Sequence, residues 1–314
     1  MPVFARGTGL GNRLFQWSRA RVYHYAYGAK FVSPFWFRFS LGHLMRGTVP
    51  ADQYLGRIAL AGLFRAHSGG FHPLFAPWLR LCCDVARESR GRDPSELAHR
   101  NHLLYYVDGR DDSFSRLNPY QVQLKSDLFQ IVAIRHHRRI ERLHIPPIGI
   151  NIRLGKDFAP PPESASYKDS YDWVGWLQQT PLSWFLETLQ LIRSYSGWNV
   201  PAVVVSDGSA SQLRPLLQLP AVSLLAPSNA IVDLMVLSHT QLLLGSGSST
   251  FSAWAAFLGQ QPVFTAPGHP FSRLQLQPLC GQMIDQFDPR RPDSKALVAM
   301  AKAVVNQGPT PLLM

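Results

Sequence analysis

The 314-residue chain is 46% apolar and sets 31 lysines and arginines against 20 acidic residues, a formal charge of +11. That length exceeds one typical domain, so two domains are expected, with apolar residues enough for real cores. No apolar run approaches the roughly 20 residues of a membrane-spanning helix. The start, Met-Pro-Val-Phe-Ala-Arg, lacks a signal peptide's charged head and apolar centre, so a soluble, cytoplasmic protein is expected.

The positive balance favours anionic partners. Nucleic acid is one candidate, but the basic residues are dispersed and accompany no recognition motif, and a phosphorylated small molecule or an anionic membrane surface fits equally well. Cysteines number three, and Cys82 and Cys83 are adjacent, which makes no disulfide framework. No CxxC pair, HExxH or EF-hand loop is present, so nothing in the chain argues for a metal.

Taken in order, Pro2–Ala5 reads as a short strand and Arg6–Asn12 as a glycine-rich loop. Helical spacing of Leu14, Phe15, Ser18, Val22, Tyr25 and Ala26 then predicts a helix ending near Gly28, before a strand at Ala29–Ser33. A glycine-rich loop entering a helix offers backbone N–H groups to an anion. The spacing Gly7-x-Gly9-x-Gly11 departs from a dinucleotide fingerprint, and no acidic residue follows about 20 positions on.

Residues 34–120 are harder to read: helical fragments at Gln53–Arg65 and Leu79–Arg87, and a strand at Leu103–Val107. Leu124–Arg142 reads as one helix carrying the run Arg135–Arg139, whose simplest reading is a solvated face. Paired prolines at Pro146 and Pro147 stop it, and the domain boundary is placed there, giving domains 1–145 and 146–314.

Beyond the boundary the pattern is regular. Strands are expected at Ile148–Arg153, Ala202–Val205, Val222–Leu225, Leu242–Leu244 and Pro262–Thr265. Helices are expected at Leu182–Tyr195, Ala210–Leu217, Ile231–Ser238, from Thr250 through Phe257, and at Ala296–Val305. Ala159–Gln179 is long enough for a binding loop. Continuous apolar strands alternating with helices indicate an α/β fold with a doubly wound parallel sheet.

Chemistry gathers at three strand ends. Gly149–Phe158 runs from an apolar strand into Arg153, Gly155, Lys156 and Asp157, at the edge where open α/β sheets bind ligands. Arg153 has the planar fork that clamps a phosphate. Gly245–Thr250 packs two glycines and four hydroxyls before a helix, a phosphate cradle unless Ser248 or Ser249 merely caps that helix. Ser206-Asp207-Gly208 closes a third strand. Neither a GxSxG elbow nor a Walker lysine occurs.

Four segments then carry a resemblance. Gly9-Leu10-Gly11-Asn12-Arg13-Leu14-Phe15-Gln16-Trp17 is similar to the opening Gly-Leu-Gly-Asn-Gln-Leu-Phe-Gln-Tyr of α-1,2-fucosyltransferases. Asn151–Phe158 resembles their His-x-Arg-Arg-Gly-Asp-Tyr, with Asn151 at the histidine, Leu154 at the second arginine and Lys156 inserted. Ser206-Asp207 matches their Ser-Asp-Asp. Asp233-Leu234-Met235 with Ser238, then Ser248–Trp254, follow in the family's order.

This resemblance implies a GT-B-like fold, two Rossmann-like domains facing a central cleft, the first on the acceptor side and the second binding a GDP-sugar. It implies a galactoside 2-α-L-fucosyltransferase-like enzyme, inverting and metal-independent, with GDP-fucose as donor substrate and no cofactor. The implied partners are a nucleotide sugar and a glycan acceptor, with the basic surface available for peripheral membrane contact. Arg153 and Asp157 would be catalytic, with Asp169 and Asp172 as other candidate bases. Gly9, Gly11, Asn12, Arg153, Lys156, Asp207, Ser248, Ser249 and Thr250 would bind the donor. Another nucleotide sugar, or a glycan- or nucleotide-binding protein without turnover, are the competing readings.

Overall fold

The computed structural model describes residues 9–32, 76–87, 102–107, 114–155, 158–160, 178–226, 228–268, 271–279 and 281–305. The chain divides into two compact units, Met1–Arg138 and Arg139–Met314. The expected strand at Pro2–Ala5 and helix at Gln53–Arg65 lie outside the described residues, as do Lys156 and Asp157.

In the first unit α1 spans Leu10–Tyr27 and ends at Gly28, whose φ of 66° is the left-handed conformation that glycine adopts without a Cβ clash. Of the strand expected at Ala29–Ser33, the described residues show one bridging residue, Val32, and Ser33 lies outside them. The fragment read as one helix at Leu79–Arg87 is instead the end of α2 (Ala76–Cys82) and a strand, β1 (Asp84–Arg87). Parallel pairing with β2 (Leu103–Tyr106) claims those residues, and that partner is not visible in the local pattern.

Leu124–Arg142 likewise is not one helix. α3 (Gln121–Ile131) stops where Val132 turns extended, with ψ 134°, and α4 (Ile134–Glu141) restarts beyond it. Val132 is buried and takes part in a β bridge, so tertiary pairing overrides helical continuity. α1 is tied to α3 by Asp127, which accepts from Arg21 Nε at 2.6 Å and from the Tyr25 hydroxyl. Burial and the Asp127 carboxylate together push the Tyr25 hydroxyl's pKa upward.

The second unit is built on a six-stranded sheet, parallel throughout. Its strands are β3 (Ile148–Ile152), β4 (Ala202–Ser206), β5 (Val222–Leu224), β6 (Leu242–Gly245), β7 (Val263–Thr265) and β8 (Ile284–Gln286). The spatial order β5-β4-β3-β6-β7-β8 runs outward in both directions from the neighbours β3 and β6. This is the Rossmann order, with its switch point between those two strands. The sequence reading missed β8, a three-residue edge strand of Ile, Asp and Gln.

The period of two decides which helices the strands meet. Ile148, Ile150, Ile152, Ala202, Val204, Leu242 and Leu244 share one fully buried cluster with Trp184, Phe185, Leu189 and Ile192 of α5 (Leu182–Ser196). Ala296 and Met300 of α9 (Ser294–Val305) complete it. On the other face lie α7 (Ala230–Ser238) and α8 (Thr250–Gly259); a Cβ at Gly149 would come within 2.8 Å of Thr240 Oγ1. The expected helix at Ala210–Leu217 shrinks to α6 (Arg214–Leu217), because Pro215 fits a first turn and not a helix interior.

Three helix starts of the second unit are capped by side chains. Asn229 accepts from Val232 N at 3.1 Å, Ser249 from Ser252 N at 3.3 Å and Asp293 from Ala296 N at 3.1 Å. Among the described residues no helix is long and apolar enough to cross a membrane.

Candidate functional site

The carboxyl ends of β3, β4 and β6 bring together Arg153, Asp207 and the turn Ser246–Ser249. Pairing sets this up: Asn151 lies opposite Gly245 on one side and Val205 on the other, and Ile152 lies opposite Ser206. The three chain segments therefore leave the sheet at one level, at the switch point where such folds hold ligands.

Arg153 is held from several directions. Asp207 Oδ2 lies 2.8 Å from its Nη1, and the guanidinium carbon stands 5.3 Å from the ring centre of Phe158. Both partners of the ion pair keep about a quarter of their side-chain surface exposed, 29% and 26%, so solvent reaches the site. Its backbone is fixed as well: Arg153 N donates to Ser246 Oγ at 3.0 Å, and that hydroxyl donates to Asn151 O at 3.0 Å.

Asp207 spends its second oxygen on the next residue, accepting from Leu154 N at 2.7 Å. Gly155 makes room for this arrangement, since a Cβ there would lie 2.5 Å from Asp207 Oδ2. Asp207, expected among the donor-binding residues, orients Arg153 with its carboxylate.

Asn151, at the family's histidine position, is 2% exposed and turned into the fold. Its Oδ1 accepts from Ser252 Oγ at 2.6 Å, tying β3 to the first turn of α8. Gly245 allows that turn to close down, a Cβ there being 3.1 Å from Ser252 Cβ.

The Gly245–Thr250 turn is only partly the cradle expected. Ser246 N donates to Asn151 O and Gly247 N to Thr180 Oγ1, while Ser249 caps α8. Two of the four hydroxyls, Ser246 and Ser249, are thus used within the chain, and the capping reading holds for Ser249. Ser248 and Thr250 remain, with the backbone N–H groups of Thr250 and Phe251 that the helix ladder leaves over in its first turn. Ser248 takes a left-handed φ of 59°, a conformation costing a non-glycine residue about 1 kcal/mol and found often at ligand sites.

In the first unit Gly9 is the N-cap of α1, with φ −69° and nothing within 4 Å of an added Cβ, so neither backbone nor space demands glycine. Gly11 and Asn12 lie in the first turn of α1; Asn12 Oδ1 is buried and makes no hydrogen bond among the described residues. Lys156 and Asp157, like Asp169 and Asp172, lie outside the described residues.

Sequence reasoning took Gln179 only as the end of the candidate binding loop Ala159–Gln179 and missed Thr180. Gln179 Nε2 donates to both Leu154 O and Phe158 O at 3.1 Å, and its N–H to Ala159 O at 2.9 Å. No local signal marks them beyond their place before Pro181 at the start of α5. Asp233, in the first turn of α7, is buried enough to push its pKa up to about 6, against the opposing pull of the Ser228 hydrogen bond and the Arg139 charge. Among the described residues no group of three or more His, Cys, Asp or Glu could hold a metal ion.

This sheet defines an α/β fold with a Rossmann-like strand order. No family model matches the chain, nor does any curated protein. Solved structures do. The α-1,6-fucosyltransferase NodZ soaked with GDP-fucose is similar with a TM-score of 0.50 at 15% identity, over 85% of this chain and 96% of that one. Selenomethionine NodZ from Bradyrhizobium gives the same values, and the apo-form of POFUT1 follows at 0.47 and 14%, over 84% and 97%. The chain has an α/β fold with parallel sheets that matches the NodZ structures. At such identity the likeness is one of fold.

Proposed function

We propose that the protein is a glycosyltransferase that moves fucose from GDP-fucose to a sugar hydroxyl of a glycan, with an α-1,2 linkage favoured. The observation that carries this reading is Arg153, fixed at the switch point beside the N-terminus of α8. Similarity of the fold to a fucosyltransferase structure soaked with GDP-fucose supports it, as do the four motif segments.

In the proposed reaction the acceptor hydroxyl attacks the anomeric carbon from the face opposite the phosphate, inverting that centre. The bond to the phosphate oxygen breaks and negative charge gathers on the departing GDP. A guanidinium carries five N–H donors in a planar fork, enough to hold Asp207 on one edge and a diphosphate on another. Arg153, Lys156 and the first-turn N–H groups of α8 would take up that charge without a metal. Asp157 is the proposed base for the acceptor, placed by its motif position. The second unit would bind the donor.

The deciding experiment measures GDP release from GDP-fucose against a panel of glycans, with and without a chelator. Turnover that survives chelation and falls on the order of a hundredfold or more in Arg153→Ala is the expected result. Near-wild-type transfer by Arg153→Ala would show that the clamp is elsewhere. Binding of GDP with no turnover on any glycan would favour a nucleotide-binding protein, and activity with a UDP- or dTDP-sugar alone would replace the donor.

A further inference from the structure

The segment Gln178–Thr180 touches both halves of the candidate site, although none of its residues belongs to a motif. Gln179 spans the Leu154–Phe158 arm, its amide bonded to the carbonyls at both ends. Within that arm Phe158 N donates to Gly155 O at 2.9 Å. One residue on, Thr180 Oγ1 accepts from Gly247 N at 3.3 Å, in the turn before α8. Thr180 is 1% exposed, so water does not compete for that bond.

The parallel bridge between Ala159 and Gln178 anchors the segment to the chain just beyond the arm. A single three-residue stretch therefore fixes the separation between the Arg153 arm and the α8 turn. Neither contact is needed by the sheet itself, whose ladder is complete through β3 and β6.

We propose that Thr180 and Gln179 are positioning residues that hold the two diphosphate-facing segments at a fixed distance. The inference rests on the reading of this site as a GDP-sugar site. Removing the Thr180 hydroxyl leaves the buried Gly247 N–H without its acceptor, and that turn is freed to shift away from the distance a diphosphate requires.

The test compares Thr180→Val, which keeps shape and removes the acceptor, with Thr180→Ser, which keeps the acceptor, and with Gln179→Met. GDP binding is measured by calorimetry, and KM for GDP-fucose and for the acceptor by steady-state kinetics. Thr180→Val and Gln179→Met are each expected to weaken GDP binding and raise the donor KM about tenfold, the loss typical of one buried hydrogen bond. Thr180→Ser should stay within about twofold of wild type, and the acceptor KM should not move.

A residue that only supports the fold would lower the melting temperature without separating the two KM values. If wild type binds GDP and Thr180→Val binds it equally well, the positioning role is wrong while the donor reading stands. Equal weakening in Thr180→Ser also overturns it, because the hydroxyl is then not what matters. Should Thr180→Val fail to fold, Gln179→Met alone decides on the same criterion. Absence of GDP binding by wild type removes the donor reading and this inference with it.

Discussion

Asp207 grips the Arg153 strand end at two points, an oxygen 2.8 Å from the guanidinium Nη1 and another accepting the N–H of Leu154 at 2.7 Å. One carboxylate thereby fixes both the charge and the backbone next to it. Because the pair is partly exposed, its worth to overall stability is small, about 0–1 kcal/mol. Its effect falls on the geometry and charge of the site.

Asp207→Asn separates those two effects. The amide oxygen still accepts from Leu154, but the charge that offsets Arg153 is gone. GDP is expected to bind severalfold more tightly at low salt, while kcat falls because the guanidinium loses its orientation. Calorimetry beside single-turnover kinetics reads both quantities. Weaker GDP binding would show instead that Asp207 contacts the nucleoside.

Gly155 and Gly208 supply a contrast. An added Cβ at Gly155 would lie 2.5 Å from Asp207 Oδ2, whereas one at Gly208 would lie 2.5 Å from Leu154 Cδ1, the end of a flexible side chain. Gly155→Ala should therefore turn Asp207 off Arg153 and reproduce the kcat loss of Asp207→Asn. Gly208→Ala should be the milder of the two in the same transfer assay.

Asn151 tests the fold's grip on the site. In Asn151→Ala the buried hydroxyl of Ser252 loses its acceptor, a cost of about 1–3 kcal/mol. Urea unfolding should show that loss. Ser252→Ala, which removes the donor and leaves a buried amide oxygen, should cost a similar amount, and the double variant less than the sum.

Asp233 gives a pH dependence with a definite sign. Its folded pKa of about 6 lies above an unfolded value near 3.9, so between these the folded state binds more protons. Stability from this group is therefore greatest below about pH 4, declines as pH rises towards 6 and is level above it. Asp233→Asn, which resembles the protonated acid, should gain about 1–3 kcal/mol at pH 7 and little at pH 4. Denaturant melts of both proteins across that range would give the difference curve directly.

Much of the second unit was readable because its signals are local. Ile148-Gly149-Ile150-Asn151-Ile152 and Leu242-Leu243-Leu244 are apolar runs of strand length, buried at every position once folded. Ser249 marks a helix start by a rule confined to one turn. The first unit was read less well, since β1 and the break at Val132 depend on partners distant in sequence.

For the site, the sequence determined the inventory: a guanidinium at one strand end, a carboxylate at another, and glycines and hydroxyls ahead of a helix. Their relations were decided by the tertiary structure alone. The bonds joining Arg153 to Ser246, Leu154 to Asp207 and Gly247 to Thr180 span 93, 53 and 67 residues. Such contacts follow from strand order and register, which no local period encodes. That is why neither the Asp207–Arg153 pair nor the Thr180–Gly247 bond could be read from the residues around them.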